Sequence, residues 1–450
     1  MKFEVEIKKT DVCDVLVVGG GVAGFAAAIA ATRQGAHVIL AEENDYLGGT
    51  ATAGLVGPFM TSFEPTGNVQ IIRGIFAELV DRLVEVGGAI PPAQCRNGSS
   101  FAAYKLKGHN GVTPIDKEKV KLIMERMCRE AGVTLKYRFL FVGAETEGRR
   151  ITACTFATGN GFYRVEAKSV IDCTGDATVC HMAGGETIFS DETGAVQPVS
   201  TFFLIDNVDK QVLDDLLLPS DDEKLRAFMD EIADEREKRG FPCKGLKVRA
   251  YELPHGVWGI NMCQIDSDLD VNDPEVMTEA AIVGREQAHA IFDFLVRRIP
   301  GMKDARLLQT SDRVGVRESR RIVGEYYLTH TDLLESKIPE DSVAVVASTV
   351  DVHTHDNSKR IEFSALGLYG IPYRCLVHRD FDNLWSAGKT VSADRLAHSA
   401  IRVMPPCMAM GQGAGVAAAM ASAAGIAAKD IPTKELRANL LAQGVYFGEA

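Results

Sequence analysis

The 450-residue chain has ten cysteines but no C-x-x-C pair. That removes an iron–sulfur or structural-zinc framework and fits reduced, mostly buried thiols. It has no apolar run long enough to span a bilayer. It has no excess of positive charge either: 49 Lys and Arg stand against 61 Asp and Glu, a net charge of −12. Nucleic acid and anionic membranes are therefore disfavoured as partners, although a local basic pocket is compatible with the total. Met1–Thr10 is charged and alternates Phe3, Val5 and Ile7, so it reads as an edge strand and not as a signal peptide. A cytoplasmic protein is expected. Length and a 46% hydrophobic composition imply a globular chain of two or three domains.

Against these absences, one stretch stands out. Asp14–Glu42 reads DVLVVGGGVAGFAAAIAATRQGAHVILAE. Asp14–Val18 is a short β-branched run suited to a buried parallel strand. Gly19, Gly21 and Gly24 follow in G-x-G-x-x-G spacing, and alanine-rich Val22–Gln34 reads as a helix closed by Gly35. His37–Ala41 is a second strand ending at Glu42. Gly19 permits the tight turn, Gly21 lets a pyrophosphate approach the backbone, and Gly24 lets helix and strand pack closely. The helix N-terminus offers free N–H groups to phosphate. Glu42, about twenty residues on, is placed to accept from ribose hydroxyls and would repel a 2′-phosphate.

The rest of the chain divides by character. Glycine-rich Leu47–Gly57 reads as backbone lying against a flat ligand. Val69–Val86 and Asp116–Ala131 carry helical periodicity, and Pro91–Gly111 reads as a long loop. Thr134–Val142, Ile151–Thr158 and Phe162–Val165 read as antiparallel strands. Ser169–Cys173 is a buried strand running into Thr174-Gly175-Asp176. Between 186 and 360 the pattern changes: strands at Gln197–Ile205 and Gly256–Ile265, a charged helical stretch Val208–Arg239, a helix Asp273–Arg298, and the dense polar run Asp312–Arg321. The last ninety residues bring strands at Gly370–Leu376 and Asn383–Gly388. They end with Ser399–Ala421, a segment in which Pro405-Pro406 precedes a helix of small residues. Its Gly411, Gly413 and Gly415 fit packing against a cofactor's flat end and packing in a core equally well.

Together Asp14–Glu42 with Gly48-Gly49-Thr50, Ile171–Ala177, Gly315–Glu325, Gly370–Leu376 and Arg402–Ala419 resemble the glutathione-reductase-like FAD-dependent oxidoreductases. More narrowly, they resemble the bacterial FAD-dependent oxidoreductase family distantly similar to heterodisulfide reductase flavin subunits. The resemblance implies an α/β fold with a Rossmann-like FAD-binding domain split in sequence (1–185 and 361–450) around an inserted α+β substrate domain (186–360). It implies noncovalent FAD. Gly19, Gly21, Ala23 and Gly24 would form the pyrophosphate turn and Glu42 would meet the adenosine ribose. Gly48, Gly49 and Thr50 would lie along the ribityl–flavin boundary, and Val142 by adenine. Gly175 and Asp176 would lie at the ribityl–pyrophosphate turn. Gly388, Arg402, Gly411 and Gly413 would close over the ring, with a helix N-terminus near Gly411–Gly413. The iron–sulfur cysteines of heterodisulfide reductases and a complete second Rossmann unit for NAD are missing.

Two functions follow as expectations. One is hydride transfer between flavin and a small polar organic substrate: an alcohol, an amine or an activated C–C bond, with a carboxylate also compatible. The alternative is an electron-transfer flavoprotein serving a protein partner. The electron acceptor or donor is open, and a homo-oligomer is compatible with either. Arg317, Arg320 and His353 are the expected catalytic group. Arginine presents a planar fork suited to carboxylates and histidine exchanges protons near neutral pH. If 317–321 is helical, residues 317, 320 and 321 share a face. His353-x-His355-Asp356 offers too few ligands for a metal site, so none is expected.

Overall fold

The computed structural model describes residues 5–60, 62–95, 111–190, 196–217, 249–265, 270–354, 361–363 and 367–448. Strand β1 (Ile7–Val18) ends in the buried run Val15–Val18. Helix α1 (Val22–Arg33) returns over it to β2 (Val38–Glu42), paired parallel from Val15–Val38 to Val18–Ala41. Of the stretch expected as an edge strand, Ile7–Thr10 is the start of β1, which pairs with a later strand from Ile7 onward; residues 1–4 lie outside the described residues. α1 is buried from Val22 to Ala31 on every face, so it is covered on both sides and not amphipathic.

Helix α2 (Ile75–Glu85) begins later than its periodicity predicts, because Gly74 turns the chain at a positive φ of 63°. Helix α3 (Lys117–Ala131) starts where Asp116 accepts from the amides of Glu118 and Lys119 and stops at left-handed Gly132. The strand expected over 134–142 is two. β3 (Thr134–Tyr137) lies parallel on β2, Arg138 takes a positive φ, and β4 (Leu140–Glu147) pairs instead with β5 (Arg150–Thr158). Conversely, the two strands expected over 162–173 are one, β6 (Gly161–Asp172). β6 lies parallel to β1 throughout. On its other edge the first half pairs antiparallel with β5, and Val170–Asp172 pairs parallel with Leu384–Ser386. A strand nearly four hundred residues from the N-terminus thus completes the nucleotide-type sheet.

A second, antiparallel sheet runs Arg306–Thr310, Phe203–Asp206, Trp258–Ile260, Ala250–Glu252. Helix Pro274–Arg298, capped by Asp273, contributes Ile291, Phe294 and Leu295 to a core with Phe203, Ile205, Trp258 and Ile260. Both strands are shorter than the sequence implies. Val199 and Ser200 form isolated bridges to Ile265 and Gly315. The run Asp312–Arg321 is not helical: Gly315 bridges Ser200, and Arg321–Ile322 pairs with Thr187–Ile188. Leu328, Val343–Val346, Val350 and Val352 pack in the same core as α1. The stretches 96–110 of the expected loop and 218–239 of the charged helix, and His355 and Asp356, lie outside the described residues.

The small-residue segment is two helices, Arg395–Ile401 and Met404–Ala424. Pro405-Pro406 sits inside the first turn of the second, where a missing N–H costs nothing. A side chain at Gly411 would collide with the Ala23 carbonyl, and one at Gly415 with the Ala27 carbonyl. Gly413 faces Val343. These glycines are thus explained by core packing. Gly411 and Gly415 let the helix lie directly on α1. We expect Gly411→Ala and Gly415→Ala each to destabilise the fold by about 1–3 kcal/mol through overpacking. Gly159→Ala, with no atom within 4 Å of the added carbon, should stay within about 0.5 kcal/mol. Urea denaturation measures both, and equal midpoints for the three variants would refute the close crossing.

Candidate cofactor and substrate site

The first turn after β1 has three differently constrained glycines. Gly19 has φ +100°, and a side chain there would strike the Cys173 carbonyl at the end of β6. A side chain on Gly24 would strike the Gly19 carbonyl. Both are fixed by protein packing. Gly21 is not: its backbone is extended (φ −63°, ψ −178°) and a Cβ there meets nothing within 4 Å. It is the N-cap of α1, with no side-chain cap and no acid in the first turn. An empty approach to uncapped N–H groups is what a pyrophosphate requires.

Glu42 is buried at 5% exposure. One carboxylate oxygen accepts from Gly20 N–H at 2.6 Å, the other from Asn44 N–H at 2.9 Å. Burial pushes its pKa up, and the Asn44 and Gly20 donors pull it back. Oε1 also accepts from Asn44 Nδ2 at 2.5 Å, so it is Oε2, with Gly20 N–H as its hydrogen-bond donor, that keeps a second lone pair for a hydroxyl. Gly48 N–H donates to Gly20 O at 2.9 Å, which seats Gly48-Gly49-Thr50 beside the turn. Gly49 has φ +51°, and its Cβ would stand 3.0 Å from the Gly21 Cα. Phe139 N–H donates to the Glu42 carbonyl, so β4 starts at this edge. Three residues on, Val142 is the extra residue of a β-bulge: the register jumps from Phe141–Phe156 to Gly143–Thr155. A bulge leaves backbone groups off the ladder and available to a base edge.

Across the sheet, Gly175 has φ +83° and Asp176 follows. Lys389 Nζ donates to Asp176 Oδ1 at 3.0 Å and to Ser319 Oγ at 2.7 Å, and Ser319 Oγ donates to Gly175 O at 2.9 Å. Burial alone would raise the Asp176 pKa, but Lys389, Ser319 and Arg320 outweigh it and hold the carboxyl below its usual range. Arg320 acts here, donating Nε to the Asp176 carbonyl at 2.9 Å. Gly388, at φ +98°, has its missing Cβ 3.3 Å from the Ala23 Cβ.

Beyond Thr50 opens a cleft of about 1170 Å³, open mouth included. Its polar wall carries Arg317, Asp351, His353, Lys389, Ser399 and Arg402. Its apolar wall includes Val56, Pro58, Met60, Phe202, Tyr251 and Met404. Arg317 Nη1 donates to Pro198 O at 2.6 Å. Arg402 Nη2 donates to Asp351 O at 3.1 Å and, more distantly, to Gln197 Oε1 at 3.4 Å. His353 Nε2 is 3.4 Å from Asp351 Oδ2, and its backbone N–H donates to Gln197 Oε1 at 3.2 Å.

Of the three catalytic candidates, Arg317 and His353 share this cleft, while Arg320 buttresses the Asp176 turn. The shared helical face of 317, 320 and 321 does not exist. Arg321 is instead 1% exposed and paired with fully buried Glu318, which also accepts from Arg395. The helix terminus beside the cleft is at Val403–Met404, seven residues before the Gly411–Gly413 position expected from sequence. Lys389, Gln197 and Asp351 were missed. Lys389 directly follows the glycine of LWSAGK, a legible signal. Gln197 had none, since its role depends on long-range contacts. Among the described residues, no group of three His, Cys, Asp or Glu is arranged to hold a metal, and no helix is long and apolar enough to cross a membrane.

A glycine turn before an uncapped helix N-terminus, with a buried acid at the end of the next strand, fits a dinucleotide-binding protein. The family model for FAD-dependent oxidoreductases matches residues 14–440. The chain belongs to that family, and FAD is its cofactor. It is similar, at 56% identity over 50 residues, to the 4-oxocyclohex-2-ene-1-carboxylate 5-dehydrogenase of Sinomonas cyclohexanicum, covering 11% of this chain and 8% of that protein. It is 31% identical over 183 residues to the thiamine thiazole synthase of Aeropyrum pernix, covering 39% of this chain and 60% of the other. It thus spans less than two thirds of either relative. A flavoprotein/dehydrogenase from Cytophaga hutchinsonii aligns over 97% of this chain and 87% of its own, at 13% identity and a TM-score of 0.47.

Gly21→Ala should leave the melting temperature of the FAD-free protein nearly unchanged and strip FAD from the purified protein. Full FAD occupancy in that variant would refute the route over Gly21. A second expectation concerns His398, fully buried with Nε2 2.8 Å from Lys389 O. Burial, then Arg321, Arg402 and Lys389, pushes its pKa well below 6.5. The unfolded chain binds this proton below about pH 6.5 and the folded one does not, so stability falls as pH drops through that value. The slope approaches about 1.4 kcal/mol per pH unit. Urea titrations between pH 7 and 5 should show a shallower fall in His398→Gln, and an unchanged slope would refute a neutral buried imidazole.

Proposed function

We propose that the protein is an enzyme that transfers a hydride between FAD and a small polar organic substrate: an alcohol, an amine or an activated C–C bond. The observation that carries this reading is the convergence of Arg317, His353 and Arg402, from three distant segments, on one cleft with Thr50. FAD bound along the Gly21–Thr50 groove supplies a ring that exchanges two electrons. The chain supplies the rest. Arg317 and Arg402 orient an oxyanion. His353, with the Asp351 carboxylate 3.4 Å from its Nε2, holds or releases the substrate proton. The apolar wall excludes water from the reacting face.

The reading includes noncovalent FAD, a glutathione-reductase-like arrangement, and a distant kinship to heterodisulfide reductase flavin subunits. Return of Leu384–Ser386 to β6 supports a cofactor domain split in sequence around a part that presents the substrate, although Leu328, Val343–Val346, Val350 and Val352, within the 186–360 expected for the insert, pack in the α1 core. The electron-relay alternative explains the cofactor groove but gives no task to an acid–base pair in a cleft.

Acid precipitation should leave a colourless pellet and intact FAD in solution. Anaerobic titration with hydroxy acids, amino acids and enoates tests the enzyme reading: bleaching by a small molecule alone is expected, and reduction only by a protein partner would overturn it. With the substrate found, His353→Asn and Arg317→Lys should keep FAD and melting temperature but lose turnover by roughly 100-fold or more. Turnover within a few-fold of wild type in both would remove these residues from the chemistry.

A further inference from the structure

Arg313 opens the basic run that leads to the cleft, but its own contacts go to the glycine turn. Its backbone N–H and that of Asp312 both donate to the Ala53 carbonyl, at 3.2 and 2.9 Å. Tyr46 Oη donates to Asp312 Oδ2 at 3.0 Å, a second anchor on the same loop. Ala53 N–H in turn donates to the Gly49 carbonyl at 2.8 Å. Gly49 lies against the turn, its missing Cβ 3.0 Å from the Gly21 Cα. At the side-chain end, Arg313 Nη1 is 2.5 Å from Glu43 Oε1. Glu43 directly follows Glu42, which accepts from Gly20 N–H. Backbone and guanidinium are thus attached to the two segments, Glu42–Glu43 and Gly49–Ala53, that touch the Gly20–Gly21 backbone. The electrostatics agree. Partial burial works against the charged guanidinium, but Glu43, and after it Glu42 and Asp176, outweigh it and raise the Arg313 pKa.

We propose that Arg313 is a cofactor-binding residue whose guanidinium bonds a phosphate oxygen of the FAD pyrophosphate over the Gly19–Gly21 turn, with Glu43 as its seat. The proposal goes beyond the hydride-transfer reading and rests only on FAD held noncovalently. The balance of charge requires such a cation. A pyrophosphate brings about two negative charges, against roughly half a positive charge at the α1 N-terminus. The turn is also flanked by the carboxyl groups of Glu42, Glu43 and Asp176, and Lys389 is engaged by Asp176 at 3.0 Å. Arg313 lies within the field of all three acids, so it is placed to offset them and the phosphates together. Its side chain keeps 51% exposure and that of Glu43 37%. An ion pair this open to water is weak, whereas a guanidinium fork on a phosphate makes charge-assisted hydrogen bonds. Sharing or exchanging the partner therefore favours the phosphate.

The test dilutes the full-length, FAD-loaded protein and follows FAD release by the change in flavin fluorescence, which gives a Kd without turnover. Arg313→Gln should weaken FAD roughly ten- to a hundred-fold. Glu43→Gln should leave FAD as tight as in wild type or tighter, since it frees the guanidinium and removes an anion beside the phosphates. A bracing role predicts the opposite: if Arg313 only ties down the 43–53 loop, cutting either end of the ion pair loosens FAD equally. Inorganic pyrophosphate, as competitor, should raise the apparent FAD Kd of wild type roughly ten-fold more effectively than that of Arg313→Gln. Unchanged FAD affinity in Arg313→Gln, equal loss in the two variants, or equal competition by pyrophosphate would each overturn the assignment. Arg313→Met serves where Arg313→Gln does not fold. If neither folds, Glu43→Gln decides alone, and weakened FAD there overturns the assignment. The noncovalent premise fails separately, if acid precipitation leaves the flavin in the pellet.

Discussion

The contact on which most of the molecule depends is the crossing of α1 and the Met404–Ala424 helix. Packed helices ordinarily stand 8–10 Å apart, held off by their side chains. Here Gly411 and Gly415, one helical turn apart, face the Ala23 and Ala27 carbonyls, and α1 contributes little more than alanine. Backbone meets backbone over this turn. The two N-termini that matter, α1 at Gly21 and the long helix at Val403–Met404, are thereby set in one rigid frame. Buried Gln412 extends the frame, accepting from Ile75 N–H at 3.2 Å and donating to Gln443 O at 3.2 Å. These two termini are positioned by helix packing and not by loops.

Charge follows the same logic. In a chain with 61 Asp and Glu against 49 Lys and Arg, the cleft lining holds Arg317, Lys389 and Arg402 beside Asp351 and Glu362. The basic run at 313–321 shows how the cations are distributed. Arg313 pairs with Glu43, Arg320 bonds the Asp176 carbonyl, Arg321 is locked to Glu318, and Arg317 faces the cleft. A helix would have aligned 317, 320 and 321 on one surface. An irregular extended backbone, pinned by Gly315 to Ser200 and by Arg321–Ile322 to Thr187–Ile188, distributes them. Glu318 and Arg321 satisfy each other out of water, so that pair costs the cleft no charge.

What could be read from sequence follows from how local its causes are. The βαβ unit was legible because strand, glycines, helix and acid lie within thirty residues and each is dictated by its own backbone demand. The helix starts at Asp116 and Asp273 were legible for the same reason. The join of Phe162–Val165 to Ser169–Cys173 was not, because continuity of β6 comes from β1 alongside and from Leu384–Ser386 far away. The break at Arg138 depends on β3 leaving for β2 and β4 for β5. Arg320 was misplaced because periodicity was assumed where tertiary bridges prevail. Gln197 gave no signal at all, since a glutamine's importance lies in what it touches.

Lys389 connects these levels. It follows Gly388, whose φ of +98° and lack of a Cβ are required beside Ala23. It therefore sits where the last parallel strand meets α1. Its ammonium bonds Asp176 and Ser319, which hold the second glycine turn, and its side chain also lines the cleft. The backbone carbonyl of the same residue accepts from His398, fixing that ring as a neutral imidazole among cations. One residue therefore touches the Gly175–Asp176 turn, the cleft and the helix leading to Arg402. The Gly175–Asp176 turn and the cleft lined by Arg317 and Arg402 are thus joined through one side chain and its backbone carbonyl.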